Sequence, residues 1–335
     1  MLGVGIVGAG WVSGEHIKAF QNNPHTEVRA ICSRRENSAR RKAEENNLQG
    51  CRIYTDYQEM LEQDDIDLVT ICTPNHLHAK EAIQAAQAGK HMLIEKPVAL
   101  HLNELREMKE AVRKARVKTA VGFVLHWNPL FITVKSLIER DMLGEIFYAE
   151  CDYLHHIGDW YTGWNWIRKR SYGGSSFLAG GCHAVDALRW FVGEVVEVSA
   201  YSGRYNDDYE YDTTTVAILK FQNGGVGKVS VCFDCNMPYI FNLELFGKKG
   251  AIRNNQLYCD AMPGQTGFAT IPTVPPDSGE VSHHPFQGEI DHLVECILED
   301  RESPLNLEDG VKTHEVCIAA DLASARNEPV KLPLL

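Results

Sequence analysis

The first third of this chain takes its predicted structure from one run of residues, Val4-Gly5-Ile6-Val7-Gly8-Ala9-Gly10-Trp11-Val12-Ser13. Residues 4–7 form a short apolar strand, and the helical pattern after the glycines places Ile17 and Phe20 on its buried side. A strand, a glycine-rich turn and a helix in this order are typical of a βαβ dinucleotide-binding unit. Because glycine-rich turns also have purely structural roles, this interpretation depends on the rest of the chain.

Each small residue of this run has a physical task. Gly8 allows a tight turn, and Gly10 lets the backbone approach a pyrophosphate whose charge the helix N-terminus stabilises. Ser13 replaces the third glycine of the motif and still permits close packing of the helix. We therefore expect Gly8, Gly10, Trp11 and Val12 to contact a bound nucleotide.

Strands continue to alternate with helical patterns after this run. Four further strands are predicted, at residues 28–32, 67–72, 91–95 and 119–123, and a helix over 79–88 ends at Gly89. This alternation predicts an α/β fold with a parallel, doubly wound sheet, whose ligands lie at the carboxyl ends of the strands. The polar residues at those ends are the next candidates for nucleotide binding: Thr73, Pro74, Asn75, His78, Glu95 and Lys96.

The second predicted strand ends at Ser33-Arg34-Arg35, where a residue that contacts the adenosine ribose is expected. An acidic residue there would accept a hydrogen bond from a 2′-hydroxyl, whereas a hydroxyl and two guanidiniums suit a 2′-phosphate. The cofactor is therefore expected to be NAD or NADP, with a preference for NADP that depends on Ser33 and Arg34. A solvated, basic helix start is the alternative interpretation.

Length and composition favour a soluble protein of two domains. The 335 residues divide into a predicted nucleotide-binding domain over residues 1–122 and a second domain over residues 123–335. A formal net charge of −12 would repel a phosphate backbone, so we expect no nucleic-acid partner. Neither a signal peptide nor an apolar run of the roughly 18–20 residues of a membrane helix is recognised, which predicts no membrane partner and a cytoplasmic location.

The ten cysteines lie mostly in apolar segments, as reduced thiols of cytosolic proteins do. Cys232 and Cys235 form a C-x-x-C, but they follow a strand-like run and no second pair has zinc-ribbon spacing. The fourteen histidines include two adjacent pairs without the spacing of a known metal site. We therefore predict no metal.

Motifs along almost the whole chain resemble the glucose-fructose oxidoreductase / inositol dehydrogenase / MocA (Gfo/Idh/MocA) family. They are Gly8-x-Gly10, Thr73-Pro74-Asn75 with His78, Glu95-Lys96-Pro97, Gly122-Phe123, Asn128-Pro129, residues 173–176, and residues 181–186 with Trp190. The resemblance implies an N-terminal Rossmann domain and a C-terminal α/β domain with a large open, mostly antiparallel sheet. That sheet often mediates oligomerisation in the family, which implies a homodimer or homotetramer.

The resemblance also implies a catalytic pair, with Lys96 in the E-K-P motif and His183 in the G-x-H-x-x-D segment. Many members carry an aspartate four residues before that histidine, where this chain has Ala179. An arginine often stands where this chain has His126. These departures leave the substrate in doubt more than the reaction class.

The chemistry of these residue types agrees with oxidation of an alcohol. Histidine accepts a proton near neutral pH, so His183 would take the hydroxyl proton, oriented by Asp186. A cationic Lys96 would hydrogen-bond the reacting oxygen and stabilise developing alkoxide, and Pro97 restricts the backbone that carries it. A snorkelling surface lysine and a helix-start histidine are the alternatives.

The second domain contains a run of aromatic and polar residues suited to a sugar, whose ring has apolar faces and polar edges. The candidate substrate-binding residues are Lys96, Trp127, Tyr153, His156, Arg168, Asp186 and His183. The resemblance places Trp166 near the cofactor, and His283-His284-Pro285 could close the pocket. Ordinary core tryptophans are the alternative for any one of these aromatic residues.

The sequence thus predicts an NAD(P)-dependent oxidoreductase that transfers hydride between nicotinamide and a secondary hydroxyl or ketone of a sugar, glycoside or inositol. One alternative is an enzyme that keeps its nucleotide bound and modifies glycosides by transient oxidation without net redox change. The other is a non-catalytic, nucleotide-sensing protein on the same fold.

Overall fold

The computed structural model describes residues 1–275 and 284–335. The chain forms two compact units. The first unit consists of Met1–Val124 and Pro285–Val311, and the second of Leu125–His284 and Lys312–Leu335.

The first unit contains a parallel six-stranded sheet. Its strands are β1 (Leu2–Val7), β2 (Thr26–Cys32), β3 (Arg52–Tyr54), β4 (Leu68–Ile71), β5 (His91–Ile94) and β6 (Thr119–Val121). They lie in the order β3-β2-β1-β4-β5-β6, the strand order of a Rossmann fold, in which the direction of winding reverses between β1 and β4. This confirms the predicted doubly wound sheet. Strand β3 was not predicted, because its three residues are all only half-buried and form no apolar run.

Five helices connect these strands: α1 (Trp11–Asn22), α2 (Glu36–Glu45), α3 (Tyr57–Leu61), α4 (Asn75–Gln87) and α5 (Leu102–Ala115). The starts of two of them, α3 and α5, are fixed by side chains that accept backbone N–H groups. Asp56 accepts from Gln58 N at 2.8 Å at the start of α3. The Glu104 carboxylate accepts from His101 N at 3.1 Å at the start of α5. Ile17 and Phe20 of α1 are fully buried, as the helical pattern predicted.

A C-terminal segment completes the first unit, whereas the sequence analysis placed it in the second domain. Helix α10 (Phe286–Leu298) packs on α1, and Asn23 Nδ2 donates to Asp291 Oδ1 at 2.7 Å. The Leu307 N–H donates to Thr119 Oγ1 at 2.9 Å. Position along the sequence cannot reveal this grouping, because it depends on contacts across more than 180 residues.

The second unit contains a nine-stranded sheet. Its strands are β7 (Ile146–Leu154), β8 (Val195–Gly203), β9 (Thr214–Phe221), β10 (Val226–Cys232), β11 (Ile240–Gly247), β12 (Gly250–Arg253), β13 (Gln256–Cys259), β14 (Ala269–Thr270) and β15 (Val330–Lys331). They lie in the order β14-β13-β12-β11-β7-β10-β9-β8-β15. Only β7 and β10 pair in parallel, so the sheet is mostly antiparallel, as expected.

One face of this sheet is covered by helices and the other carries exposed side chains. The other helical segments are a 3₁₀ turn (Val124–Trp127), α6 (Pro129–Glu139), α7 (Trp164–Ile167), α8 (Arg170–Gly173), a π-helical turn (Phe177–Gly181), α9 (Cys182–Val192) and α11 (Leu307–Arg326). Helix α9 packs on β7 and β10, with Leu188, Cys151 and Val229 fully buried. Residues of β9 alternate between buried and exposed, as in a strand with one solvated face.

Two further searches concern only the described residues. Within residues 1–275 and 284–335, no helix combines the length and the apolarity needed to cross a membrane. In the same part of the chain, no three His, Cys, Asp or Glu side chains are grouped so that they could hold a metal ion.

Candidate functional site

The glycine-rich turn lies between β1 and α1, and its two glycines have different surroundings. Gly8 has a φ of +100°, and a Cβ there would lie 2.6 Å from Cys72 O, so no other residue fits without a shift of the main chain. A Cβ on Gly10 would have Cys72 O as its nearest neighbour at 3.9 Å. Gly8 is therefore needed for the turn itself, whereas Gly10 leaves space open above the backbone.

Gly10 is the residue before the first turn of α1, and as a glycine it has no side chain to cap the backbone N–H groups of that turn. Ser13 is fully buried and donates from Oγ to Gly10 O at 2.8 Å, which explains a small residue at this position. Trp11 is exposed and Val12 half-buried. A helix N-terminus without a side-chain cap from Gly10, together with an open backbone, fits a pyrophosphate, so these residues could hold the dinucleotide that the sequence predicts.

The end of β2 carries Ser33, Arg34 and Arg35. Ser33 is half-buried and its N–H donates to Tyr54 O at 3.0 Å, while both arginines are exposed ahead of α2. The structure therefore places these residues where a ligand could reach them. Their exposure suits the ribose end of a nucleotide and a solvated helix start alike.

At the end of β4, Thr73 and Pro74 precede the first residue of α4, Asn75. The Thr73 hydroxyl donates to Glu81 Oε2 at 2.5 Å. Burial raises the pKa of the Glu81 carboxyl to about 7. Thr73 is thus held by a carboxyl that titrates near neutral pH.

His78 lies in the interior and connects the ends of two neighbouring strands. Its Nε2 lies 2.7 Å from Thr73 O and its Nδ1 2.8 Å from Pro97 O. Burial lowers the pKa of His78, and a neutral ring donates to one of these two carbonyls. The sequence predicts that His78 contacts the nucleotide; in the structure its two ring nitrogens lie at hydrogen-bond distance from main-chain carbonyls.

The end of β5 contains a buried ion pair that sequence reasoning missed. Glu95 Oε1 lies 3.0 Å from Nε2 of His16, a fully buried residue of α1. His16 Nδ1 lies 2.7 Å from Thr70 Oγ1 of β4 and 3.6 Å from Cys72 Sγ. In the sequence, the one sign of this pair was a histidine on the side of α1 that the helical pattern predicts to be buried.

Charges within this cluster favour an imidazolium and a carboxylate. Burial lowers the pKa of His16, but Cys72 and Glu95 together raise it well above its ordinary value. Burial alone would raise the pKa of Glu95, but the hydrogen bond and charge of His16 and the charge of Lys96 lower it. Both shifts therefore favour the ionised form of the pair.

Lys96 is the residue after Glu95 and is half-buried. Its N–H donates to Glu95 Oε2 at 3.3 Å, and the peptide bond between Lys96 and Pro97 is cis. A Cβ on Gly122 would lie 3.2 Å from the Glu95 carboxylate, so a glycine leaves room for that carboxylate. The backbone of Lys96 is thus held in place by its neighbours in the same unit.

In the second unit, His183 is the second residue of α9 and is buried, with 8% of its surface exposed. The π-helical turn before it contains Ala179, at the position where the resemblance expects an aspartate in many relatives. Turns of this kind are frequent at functional sites. The expected start of an apolar helix at His183 agrees with the structure.

Asp186 lies one helical turn after His183, and its two oxygens contact other residues of the same unit. Its Oδ2 lies 2.7 Å from His126 Nε2, and its Oδ1 accepts from Thr313 Oγ1 at 3.3 Å. The His126 ring stacks on Trp190 with centroids 3.9 Å apart. His126 therefore partners Asp186, a role that the sequence analysis did not assign.

An aromatic cluster surrounds the end of β7. Tyr153 OH lies 3.2 Å from His155 Nδ1, and the Tyr239 ring lies 5.4 Å from that of Tyr153 and 4.7 Å from that of His155. The ring of Trp160 lies 5.6 Å from that of His155 and is half exposed. The structure thus brings Tyr153 together with His155 and with Tyr239, which the sequence analysis had not selected, whereas His156 is exposed.

The remaining candidates of this unit have separate neighbours. Arg168 stacks on Trp164, with 5.7 Å from Cζ to the ring centroid, and donates to Asp208 O at 3.3 Å. The ring centroids of Trp166 and Tyr161 lie 6.5 Å apart. Trp127 and His284 are half-buried, and His283 lies outside the described residues.

Comparison with protein families gives two adjacent matches. Residues 2–123 match the family model described as "Oxidoreductase family, NAD-binding Rossmann fold" (GFO_IDH_MocA). Residues 131–253 match the model of the GFO/IDH/MocA C-terminal domain. Together the two models cover most of the chain.

Two relatives match over most of the sequence. YrbE of Bacillus subtilis, an uncharacterized oxidoreductase, is 27% identical over 98% of this chain and 96% of its own. Levoglucosan dehydrogenase of Pseudarthrobacter phenanthrenivorans is 28% identical over 82% of this chain and 80% of its own. A solved structure of a levoglucosan dehydrogenase in complex with NADH and levoglucosan superposes with a TM-score of 0.90, at 24% identity and full coverage of both chains.

These comparisons do not support the preference for NADP that was expected from Ser33 and Arg34. The matching family model describes an NAD-binding fold, and the superposed dehydrogenase holds NADH. Exposed arginines at a helix start have the alternative explanation already given, since solvated charges need no ligand.

Proposed function

This chain belongs to the GFO/IDH/MocA oxidoreductase family, and from that membership we propose that it transfers hydride between NAD and a secondary hydroxyl or ketone of a sugar, glycoside or inositol. The observation that carries the proposal is the arrangement of one sheet edge. Gly8, Thr73 and Lys96 follow the adjacent strands β1, β4 and β5, so a nucleotide-binding turn and a lysine share the carboxyl edge of one sheet.

A bound nicotinamide supplies the hydride acceptor or donor. For the chain's own residues, we propose that the Lys96 ammonium hydrogen-bonds the reacting oxygen and stabilises negative charge that develops on it. His183 takes the hydroxyl proton during oxidation and returns it during reduction. Asp186 lies within hydrogen-bond distance of His126 and supports the helix that carries His183.

The substrate class follows from the aromatic cluster of the second unit. Tyr153, His155, Trp160 and Tyr239 combine ring faces with hydrogen-bonding groups, which is what the apolar faces and polar edges of a sugar ring require. The levoglucosan dehydrogenases among the relatives act on a sugar by name. We therefore propose a cyclic polyhydroxylated substrate.

The test follows the near-ultraviolet absorbance of reduced nicotinamide while the protein is mixed with NAD or NADP and a panel of sugars, glycosides and inositols. We expect turnover with NAD and at least one compound of the panel. Lys96→Met and His183→Ala should each lower kcat by about a hundredfold or more and leave the NADH affinity within about twofold. Lys80→Met, which removes an exposed lysine of the same unit, is the matched control and should keep full activity.

Other outcomes identify the alternatives. Nucleotide binding without absorbance change, together with conversion of a glycoside, would mean that the nucleotide is oxidised and reduced within one cycle. Nucleotide binding without conversion of any compound would favour a sensor. Full activity of both Lys96→Met and His183→Ala would refute the assigned catalytic pair.

A further inference from the structure

A network of buried polar groups connects the nucleotide-binding helix to Lys96 within the first unit. His16 of α1 is fully buried, and its ring lies between Thr70 of β4 and Glu95 of β5. Glu95 in turn accepts the N–H of Lys96. Three elements that meet at the carboxyl edge of the sheet are therefore joined by one side chain.

We propose that His16 is a positioning residue for Lys96: its ring holds the Glu95 carboxylate, and that carboxylate holds the Lys96 main chain at the end of β5. This inference rests on the proposed role of Lys96. His16 itself is too deeply buried to touch a substrate.

Both carboxylate oxygens of Glu95 have partners, so the side chain has little freedom to change its position. One oxygen lies 3.0 Å from His16 Nε2, and the other accepts Lys96 N at 3.3 Å. Gly122 bounds the carboxylate on one side, since a Cβ there would lie 3.2 Å from it. A buried carboxylate that lost its cationic partner would either protonate or move, and both changes would reach the next residue, Lys96.

The packing around His16 also fixes the ring. The ring of Phe286 lies 5.1 Å from it, centroid to centroid, at an interplanar angle of 53°. Thr70 Oγ1 lies at hydrogen-bond distance from Nδ1, which orients the opposite nitrogen toward Glu95. The ring therefore has one orientation in which both nitrogens find partners.

A second buried carboxyl nearby supplies a matched control. Glu289 of α10 is fully buried, and among the described residues neither of its oxygens has a hydrogen-bond partner. Burial and the charge of Glu95 raise the pKa of Glu289 well above its ordinary value, against the charge of His16. This direction favours the neutral carboxyl, so an amide at Glu289 should leave the His16–Glu95 pair unchanged.

Two substitutions of His16 separate positioning from folding. In His16→Gln the side-chain amide can replace Nε2 and still donate to Glu95, whereas in His16→Asn the shorter amide can replace only Nδ1 and reach Thr70. Both variants lose the buried imidazolium. Only the first keeps a donor for the Glu95 carboxylate.

The experiment measures kcat, KM and NADH affinity for the full chain and for His16→Asn, His16→Gln and Glu289→Gln. We expect His16→Asn to lower kcat by about tenfold to a hundredfold, as for a displaced catalytic group, with NADH affinity within about twofold. His16→Gln should restore kcat to within about threefold of the unsubstituted protein, and Glu289→Gln should match it. Unchanged kcat in His16→Asn, or equal losses in His16→Asn and His16→Gln, would overturn the proposal.

A second readout works without turnover and so separates this proposal from the proposed function. Lysines can be reductively dimethylated with ¹³C-formaldehyde and a borohydride reductant, and the Lys96 resonance is the one missing from Lys96→Met. The chemical shift of that resonance should differ from that of the unsubstituted protein in His16→Asn. It should be the same as in the unsubstituted protein in His16→Gln and in Glu289→Gln. A resonance that is the same in all four proteins would overturn the positioning role even if the enzyme is active.

Discussion

Gly8 and Gly10 are separated by one residue and lack a side chain for different reasons. Gly8 sits at a positive φ with a carbonyl 2.6 Å from the position of a Cβ, whereas the space around Gly10 is open. The first glycine is therefore a requirement of the fold. The second is required by a ligand that approaches the backbone there, such as a pyrophosphate.

Alanine at each position should separate these requirements. Gly8→Ala should lower the free energy of unfolding by about 1–3 kcal/mol through strain and overlap with Cys72 O. Gly10→Ala should change that free energy by less than about 0.5 kcal/mol but weaken NADH binding by about tenfold or more. Urea denaturation and fluorescence titration with NADH measure the two effects. Undiminished NADH affinity in Gly10→Ala would place the pyrophosphate elsewhere.

Single residues also mark the limit of what the sequence predicts. The types and positions of Gly8, Lys96 and His183 follow from spacing and resemblance, because backbone geometry ties them to strand and helix ends. The partners of Asp186 and His78 do not follow, because a hydrogen bond across 60 residues, such as that between His126 and Asp186, is set by tertiary packing. Sequence reasoning paired Asp186 with its neighbour in the chain, and the structure shows a contact with a residue distant in sequence.

At the scale of elements, the hydrogen bond between Thr73 and Glu81 links the end of β4 to the first turns of α4. Burial favours the protonated Glu81 carboxyl in the folded protein, with a pKa of about 7. Since the unfolded carboxyl has a lower pKa, the folded state binds more protons between the two values. Stability from this group is therefore fully present at acidic pH and is lost as the pH rises through about 7.

Glu81→Gln should remove this pH dependence. We expect the unsubstituted protein to lose roughly 2–3 kcal/mol of unfolding free energy more than the variant between about pH 4.5 and pH 8. Urea denaturation at a series of pH values measures the difference between the two proteins. Glu44→Gln, an exposed glutamate on α2, is the control and should follow the unsubstituted protein. Parallel curves for Glu81→Gln and the unsubstituted protein would contradict the assignment.

Helices and strands were predicted correctly where a run or pattern of apolar residues marks their buried side. Five strands of the first sheet are buried apolar runs, and these were found within a few residues of their observed ends. Strand β3 has three half-buried residues and was missed. Helix α4 begins four residues earlier than predicted, at Asn75 directly after Pro74, because its first turn carries polar residues and the apolar pattern only starts at Ala79.

At the scale of the whole molecule, the chain leaves the first unit and later returns to it. Val124 ends its first segment, and residues 285–311 complete it with α10, whose Ile290 and Leu293 are fully buried. A fragment that ends at Val124 would expose the surface of α1 on which α10 packs. The nucleotide-binding unit is therefore not a continuous piece of sequence.

Dissection of the chain tests this organisation. Residues 1–124 alone should unfold without a cooperative transition, whereas residues 1–124 joined to 285–311 by a Gly/Ser linker of about 15 residues should fold cooperatively and bind NADH. Ile290→Asp in the joined polypeptide is the control and should abolish the transition, because it buries a charge in the contact. Circular dichroism during heating measures cooperativity. A cooperative transition in residues 1–124 alone would show that α10 is dispensable.

The outermost strands of the nine-stranded sheet, β14 and β15, are also its shortest, with two residues each. An exposed sheet edge is a template on which extended segments of other polypeptides can add, the first step toward amyloid-like growth. A strand of two residues offers too few backbone groups to hold such a segment, and the exposed Lys331 adds a charge to one of them. These two strands themselves therefore offer little backbone on which a further strand could add.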